Sequence, residues 1–184
     1  NTTGDNNVAV GRRSLDANTT GDNNTAVGFN ALVFNTTGLD NTGLGSNAGQ
    51  NNTTGCYNTS VGRFALKSNT TANNNTAVGY CSLNTNTTGE ENVALGSFAI
   101  LNSTTGSRNI AIGRRALQSN TTADNNTAVG NSAMQNNTTG TQNVAVGSNA
   151  LEDNTASNNT AVGHVSLTNN TTGTDNTSVG RCSM

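Results

Sequence analysis

The sequence predicts an all-β fold, a β-solenoid or parallel β-roll of eleven 17-residue coils, and three regularities carry that expectation. A glycine closes a short apolar run at Gly11, Gly28, Gly45, Gly62, Gly79, Gly96, Gly113, Gly130, Gly147, Gly163 and Gly180; every step is 17 residues except the 16 from Gly147 to Gly163. Four residues before each glycine stands an asparagine: Asn7, Asn24, Asn41, Asn58, Asn75, Asn92, Asn109, Asn126, Asn143, Asn159 and Asn176. Between the two lies a segment such as Val8-Ala9-Val10 or Ile110-Ala111-Ile112, alternating larger and smaller side chains with the period of two that marks a strand.

Aligned on the glycine, the unit reads N-T-T-G-x-x-N-[TV]-A-V-G-x-x-[AS]-L-x-x, and it fills residues 1–184 as a single repeat domain. Units begin near residues 1, 18, 35, 52, 69, 86, 103, 120, 137, 154 and 170. Each coil is expected to hold two short strands: one before the corner glycine, and one after it ending in pairs such as Ala65-Leu66 or Ala116-Leu117. The polar N-T-T-G stretch then forms a surface loop. A helix is a poor alternative, because every unit carries Gly and β-branched Thr, and helical repeats need 30 or more residues. With strands about 4.8 Å apart, the stack makes a rod roughly 50 Å long. The asparagine before each strand then becomes a ladder, its amide bonding to the next coil. The shortened tenth unit, Asn154-Thr155-Ala156-Ser157, places its deletion in the loop, since a slip within a strand would reverse its faces.

Composition narrows the function classes. Only 31% of the chain is hydrophobic and 10% charged, with no Pro or Trp, so neither a bulky core nor a charge-driven disordered chain is expected. A net charge of −2 offers no general footprint for nucleic acid, and no apolar run is long enough to insert in a membrane. Cys56, Cys81 and Cys182 leave at least one thiol unpaired within a chain and form no metal-binding spacing. Each coil has about three sizeable apolar residues, for example Val144, Val146 and Leu151, too few to order 17 residues by burial alone. Homo-oligomerisation is therefore expected.

Asn109-Ile110-Ala111-Ile112-Gly113-Arg114-Arg115-Ala116-Leu117 and Asn143-Val144-Ala145-Val146-Gly147 resemble the N-S-V-A-I-G-x-x-A repeat of trimeric autotransporter adhesin heads of the YadA-like kind. They are similar also to N-T-A-V-G-x-x-A-L repeats of viral and phage fibre proteins. The resemblance implies a parallel β-roll with three chains around one axis and the apolar strand residues facing inward. That set would be Val10, Val27, Val61, Val78, Ile112, Val129, Val146, Val162 and Val179. The adhesin unit is 14 residues long, so three further residues here enlarge the N-T-T-G loop.

Residues suited to catalysis are sparse, and no enzymatic role, cofactor or metal site is expected. The lone His164 sits at the variable position after a corner glycine, and carboxylates such as Asp5, Asp22, Glu90, Glu91, Asp124 and Asp175 lie mainly in loops. After the corner, Arg12, Arg63 and Arg114 recur every third unit, followed by Phe29, Tyr80 and Asn131 and then by Ser46, Ser97 and Ser148. A 51-residue duplication explains the rhythm, and a carbohydrate-binding stripe is the functional alternative. N-x-[ST] sequons occur at Asn1, Asn18, Asn35, Asn52, Asn69, Asn86, Asn120, Asn137 and Asn170, all on the expected loop edge. These features point to an extracellular structural or adhesive fibre, with carbohydrate or a cell-surface receptor as ligand. Two alternatives are a glycosylated filament growing end to end from uncapped terminal coils and an ice-binding solenoid. The ice-binding reading uses the column Thr25, Thr42, Thr59, Thr76, which the resemblance places inward.

Overall fold

The computed structural model describes Asn1–Met184 and contains eleven strands, β1 (Val8–Val10), β2 (Thr25–Val27), β3 (Thr42–Leu44), β4 (Thr59–Val61), β5 (Thr76–Val78), β6 (Val93–Leu95), β7 (Ile110–Ile112), β8 (Thr127–Val129), β9 (Val144–Val146), β10 (Thr160–Val162) and β11 (Thr177–Val179). They form one parallel sheet in sequence order, each paired only with the coils before and after it. Register is strict, with Val8 opposite Thr25 and Val10 opposite Val27, so equivalent residues stand in straight columns. The 16-residue step leaves β9 and β10 in register, Val144 opposite Thr160, and its deletion is absorbed by the loop. No helix is long and apolar enough to cross a membrane.

The second strand expected in each coil is replaced by two tight turns. In the seventh coil, Ala116 N–H donates to the Gly113 carbonyl at 3.3 Å and Asn120 N–H to that of Leu117 at 3.2 Å. Arg115 and Leu117 have φ of 60° and 51°, a left-handed geometry that no extended strand accommodates. A further consequence is that Ala116 and Leu117, adjacent in sequence, are both fully buried, whereas neighbours on a strand point to opposite sides. The turns are laddered as well: Arg115 N–H donates to the Ser97 carbonyl and Leu117 N–H to that of Ala133, both at 3.0 Å. Of 112 backbone hydrogen bonds, 92 lie outside the strand pairs, so the turns and loops contribute much of the order.

The corner glycines explain their own regularity. Gly79 has φ of +134°, and a Cβ there would stand 2.7 Å from both the carbonyl carbon and the oxygen of Gly96, the equivalent corner one coil on. Only a residue without a side chain fits a column of such corners.

The core is thin. The middle residue of each internal strand, such as Ala26, Ala77, Ala94, Ala111 or Ala145, points inward and is completely buried, meeting the turn residues Leu66, Leu83, Ile100, Leu117, Met134 and Leu151. In the third coil, Gly43 and Gly49 occupy the two inward positions, and the apolar core divides there into two clusters.

Candidate functional site: an uncharged sheet face over an asparagine interior

Because the middle residue of each strand is turned inward, its two neighbours face out. The set that the adhesin resemblance turns toward a three-chain axis therefore lies on the outer face of the coil, not in its interior. Ile112 is 40% exposed and Val146 38%, and Val10, Val78, Val162 and Val179 are exposed too, while Val27, Val61 and Val129 are half-buried on the same face. The physical reason is space: three strand residues offer one inward position, and the closely packed Leu of the turn leaves room there only for Ala, Ser or Gly. The Thr column of the ice-binding alternative likewise faces outward, half-buried at Thr25, Thr42, Thr59 and Thr76.

The resulting outer face consists of two columns. The first position of each strand is Thr, Val or Ile and the third is Val, Leu or Ile in all eleven coils, so no charged side chain interrupts it. The threonine hydroxyls on this face make no hydrogen bond within the chain. The loop threonines differ: Thr19 Oγ1 donates to the Thr36 carbonyl at 2.9 Å, Thr53 Oγ1 to that of Thr70 at 2.9 Å, and Thr121 Oγ1 to that of Thr138 at 3.1 Å. The outer face is therefore a regular array of methyl groups and unengaged hydroxyls.

The expected ladder runs through the interior. Asn24 Oδ1 accepts the backbone N–H of Asn41 at 2.9 Å and Asn24 Nδ2 donates to the Gly38 carbonyl at 2.8 Å, so both ends of the amide bond to the next coil. Asn41, Asn58, Asn75, Asn92, Asn109 and Asn126 repeat the pattern. Amide-to-amide contacts supplement it, as from Asn109 Nδ2 to Asn92 Oδ1 at 3.2 Å.

The sequon asparagines form a second ladder that the sequence reading did not anticipate. Asn35 Nδ2 donates to Asn18 Oδ1 at 2.9 Å and to the Gly38 carbonyl at 3.0 Å; Asn52 and Asn69 do the same one and two coils on. Asn18, Asn35, Asn52, Asn69, Asn86, Asn120 and Asn137 are all buried, and only Asn1 and Asn170, in the outermost units, are less so. The nitrogen that would carry a sugar points into the coil, so glycosylation at these seven positions is incompatible with the fold. Both ladders converge on one acceptor, since the Gly38 carbonyl receives Asn24 and Asn35 together. A usable signal was present: a solvent-exposed loop drifts between copies, yet this asparagine is replaced only by Ser103.

His164 is exposed, and Cys56, Cys81 and Cys182 are free thiols. Comparison with known protein families, with characterised proteins and with solved structures finds no match, so the function is argued from the geometry of this chain itself.

Proposed function

We propose that the chain is a stiff, non-catalytic rod segment of an extracellular fibre, one that projects from a cell or virion surface, adheres there, and associates with further copies of itself through the outer sheet face. The observation that carries this reading is the face itself: eleven in-register strands present an uninterrupted, uncharged surface of Thr, Val, Ile and Leu. Contiguous apolar patches of this kind mark association sites. Three copies are preferred, following the adhesin resemblance. Native mass spectrometry should give a multiple of the 18.6 kDa chain, and Val129→Lys, which places a charge within the face, should return the mass to that of one chain without lowering the β circular dichroism signal. A wild-type chain that stays monomeric at all concentrations overturns the association.

Ice binding is favoured by a separate observation, the outward threonine column with its free hydroxyls. An ice-recrystallisation assay separates the two readings: inhibition that disappears in Thr76→Lys while the oligomer persists supports ice binding, and inactivity of the wild type removes it.

A further inference from the structure

Charge is segregated around the coil. Seven of the eight cations lie within five residues after a corner glycine, and seven of the ten carboxylates lie five or six residues before one, on the opposite edge. The chain makes two ion pairs, Arg13 with Asp16 and Arg108 with Asp124. From the fourth coil to the seventh, the edge following the corner carries Arg63, Lys67, Arg114 and Arg115 without a carboxylate partner, and the acids of these coils, Glu90 and Glu91, belong to the other edge.

Aromatic side chains fill the interval between those cations. Phe64 and Tyr80 have ring centroids 6.4 Å apart, and Tyr80 and Phe98 meet edge to face at 5.3 Å. Arg63 and Lys67 lean on the Phe64 ring at 4.3 and 5.3 Å, which fixes their charges beside the cluster. The backbone is fixed too, because Phe98 N–H donates to the Tyr80 carbonyl at 3.0 Å and Arg115 N–H to that of Ser97 at 3.0 Å. Phe64 and Phe98 both hold φ of 62°, the left-handed geometry that this position keeps in every coil, as at Arg13, Asn30, Arg115 and Val165, so the rings are presented by the same fixed turn.

We infer that this edge binds an acidic polysaccharide, with the Tyr80 ring stacking on the apolar C–H face of a pyranose and Arg63, Lys67 and Arg114 receiving its carboxylate or sulfate groups. A single strand is bound by stacking successive bases on separate ring faces, whereas Phe64, Tyr80 and Phe98 meet one another at tilted to edge-on angles and leave no gap for bases between them; Tyr80 is nonetheless 43% exposed and open to one sugar ring. The aromatic faces attract the polarised C–H groups of a sugar, and the unpaired cations add range and charge selectivity. This inference gives the proposed adhesion a ligand class and rests on that reading only for its biological setting, because the edge lies apart from the sheet face.

Biolayer interferometry on the whole chain tests it, using immobilised polysaccharides bearing uronate, sulfate or sialate, with methyl-esterified pectin and an oligothymidylate as controls. The expected result is binding to at least one acidic polymer, weakened about tenfold by Tyr80→Asn and by Arg63→Ser. Added salt should weaken the wild type and Tyr80→Asn steeply and Arg63→Ser less so. Both variants should melt with the wild type, which separates loss of binding from loss of fold. Binding to none of the acidic polymers, equal binding by the variants, or binding to the oligothymidylate alone overturns the inference, and none of these outcomes bears on the oligomer measured by mass spectrometry.

Discussion

The interior of the coil and its outer sheet face are made by the same three-residue strands and the residues beside them, yet their chemistry is opposite to that of an ordinary domain. Inside stand two columns of asparagine with small residues and, in most coils, one Leu, Ile or Met; outside stand Val, Ile, Leu and Thr. A coil this narrow has no volume for a conventional core. Its order comes from polar groups repeated at a 17-residue interval: the first asparagine column satisfies backbone groups of the next coil, and the sequon column bonds to a carbonyl of its own coil and to the asparagine of the coil before. Asparagine suits this because one amide offers a donor and an acceptor at once. The apolar residues displaced to the surface are then free for association, and the two regions should respond differently to substitution.

The largest difference is expected at the corner between them. Gly79→Ala forces a side chain into contact with Gly96 and a conformation that L residues disfavour, and it should destabilise by about 3 kcal/mol or more, unfolding the fifth and sixth coils together. Hydrogen exchange resolved by coil checks this; protection retained in those coils contradicts the corner geometry.

Next in size is a paired test of inside against outside. Asn109→Ala leaves the Asn126 N–H without its partner and removes one of the two donors to the Ala123 carbonyl, and it should cost about 1–3 kcal/mol, since an unsatisfied buried group bears its full desolvation penalty. Thr127→Val, on the outer face one coil away, removes a hydroxyl that bonds to nothing in the chain and should change stability by less than about 0.5 kcal/mol. Thermal or denaturant unfolding of the two variants side by side measures the contrast, and equal losses would remove the distinction between the regions.

The sequence made the coil count, the corner glycines, the strand before each corner and the first asparagine ladder legible, because each rests on the repeat period and needs no knowledge of side-chain direction. The segment after the corner was misread for a physical reason. Ala116-Leu117 and its equivalents are adjacent apolar residues, which a half-buried strand does not place on one side, and only left-handed φ at Arg115 and Leu117 lets both point inward. The sequon column was misjudged because Asn and Thr are equally at home in solvated turns and in buried ladders. What separates the two cases is a contact between residues 17 apart, such as Asn52 Nδ2 with Asn35 Oδ1 at 2.8 Å, and composition does not encode it.

The smallest expected effect is the most specific test of the second ladder. In the seventh unit Ser103 stands where a sequon asparagine belongs, and its short side chain does not bond to the amides on either side. Asn86 Oδ1 is buried without a partner, and Asn120 Nδ2 donates to the Ala123 carbonyl alone. Ser103→Asn supplies a donor to Asn86 and an acceptor to Asn120 in one step, as Asn52 does between Asn35 and Asn69. The neighbouring coils hold asparagine at this position on the same backbone, so the side chain has a place prepared for it. Two added amide bonds should raise stability by about 1–2 kcal/mol, visible as a higher thermal midpoint and as slower exchange of the amides flanking Asn86 and Asn120. Ser103→Ala serves as the control and should gain nothing. An unchanged or lowered midpoint in Ser103→Asn would mean that the asparagine column is tolerated by the coil without holding it together, leaving the backbone ladder and the first asparagine column to account for its order.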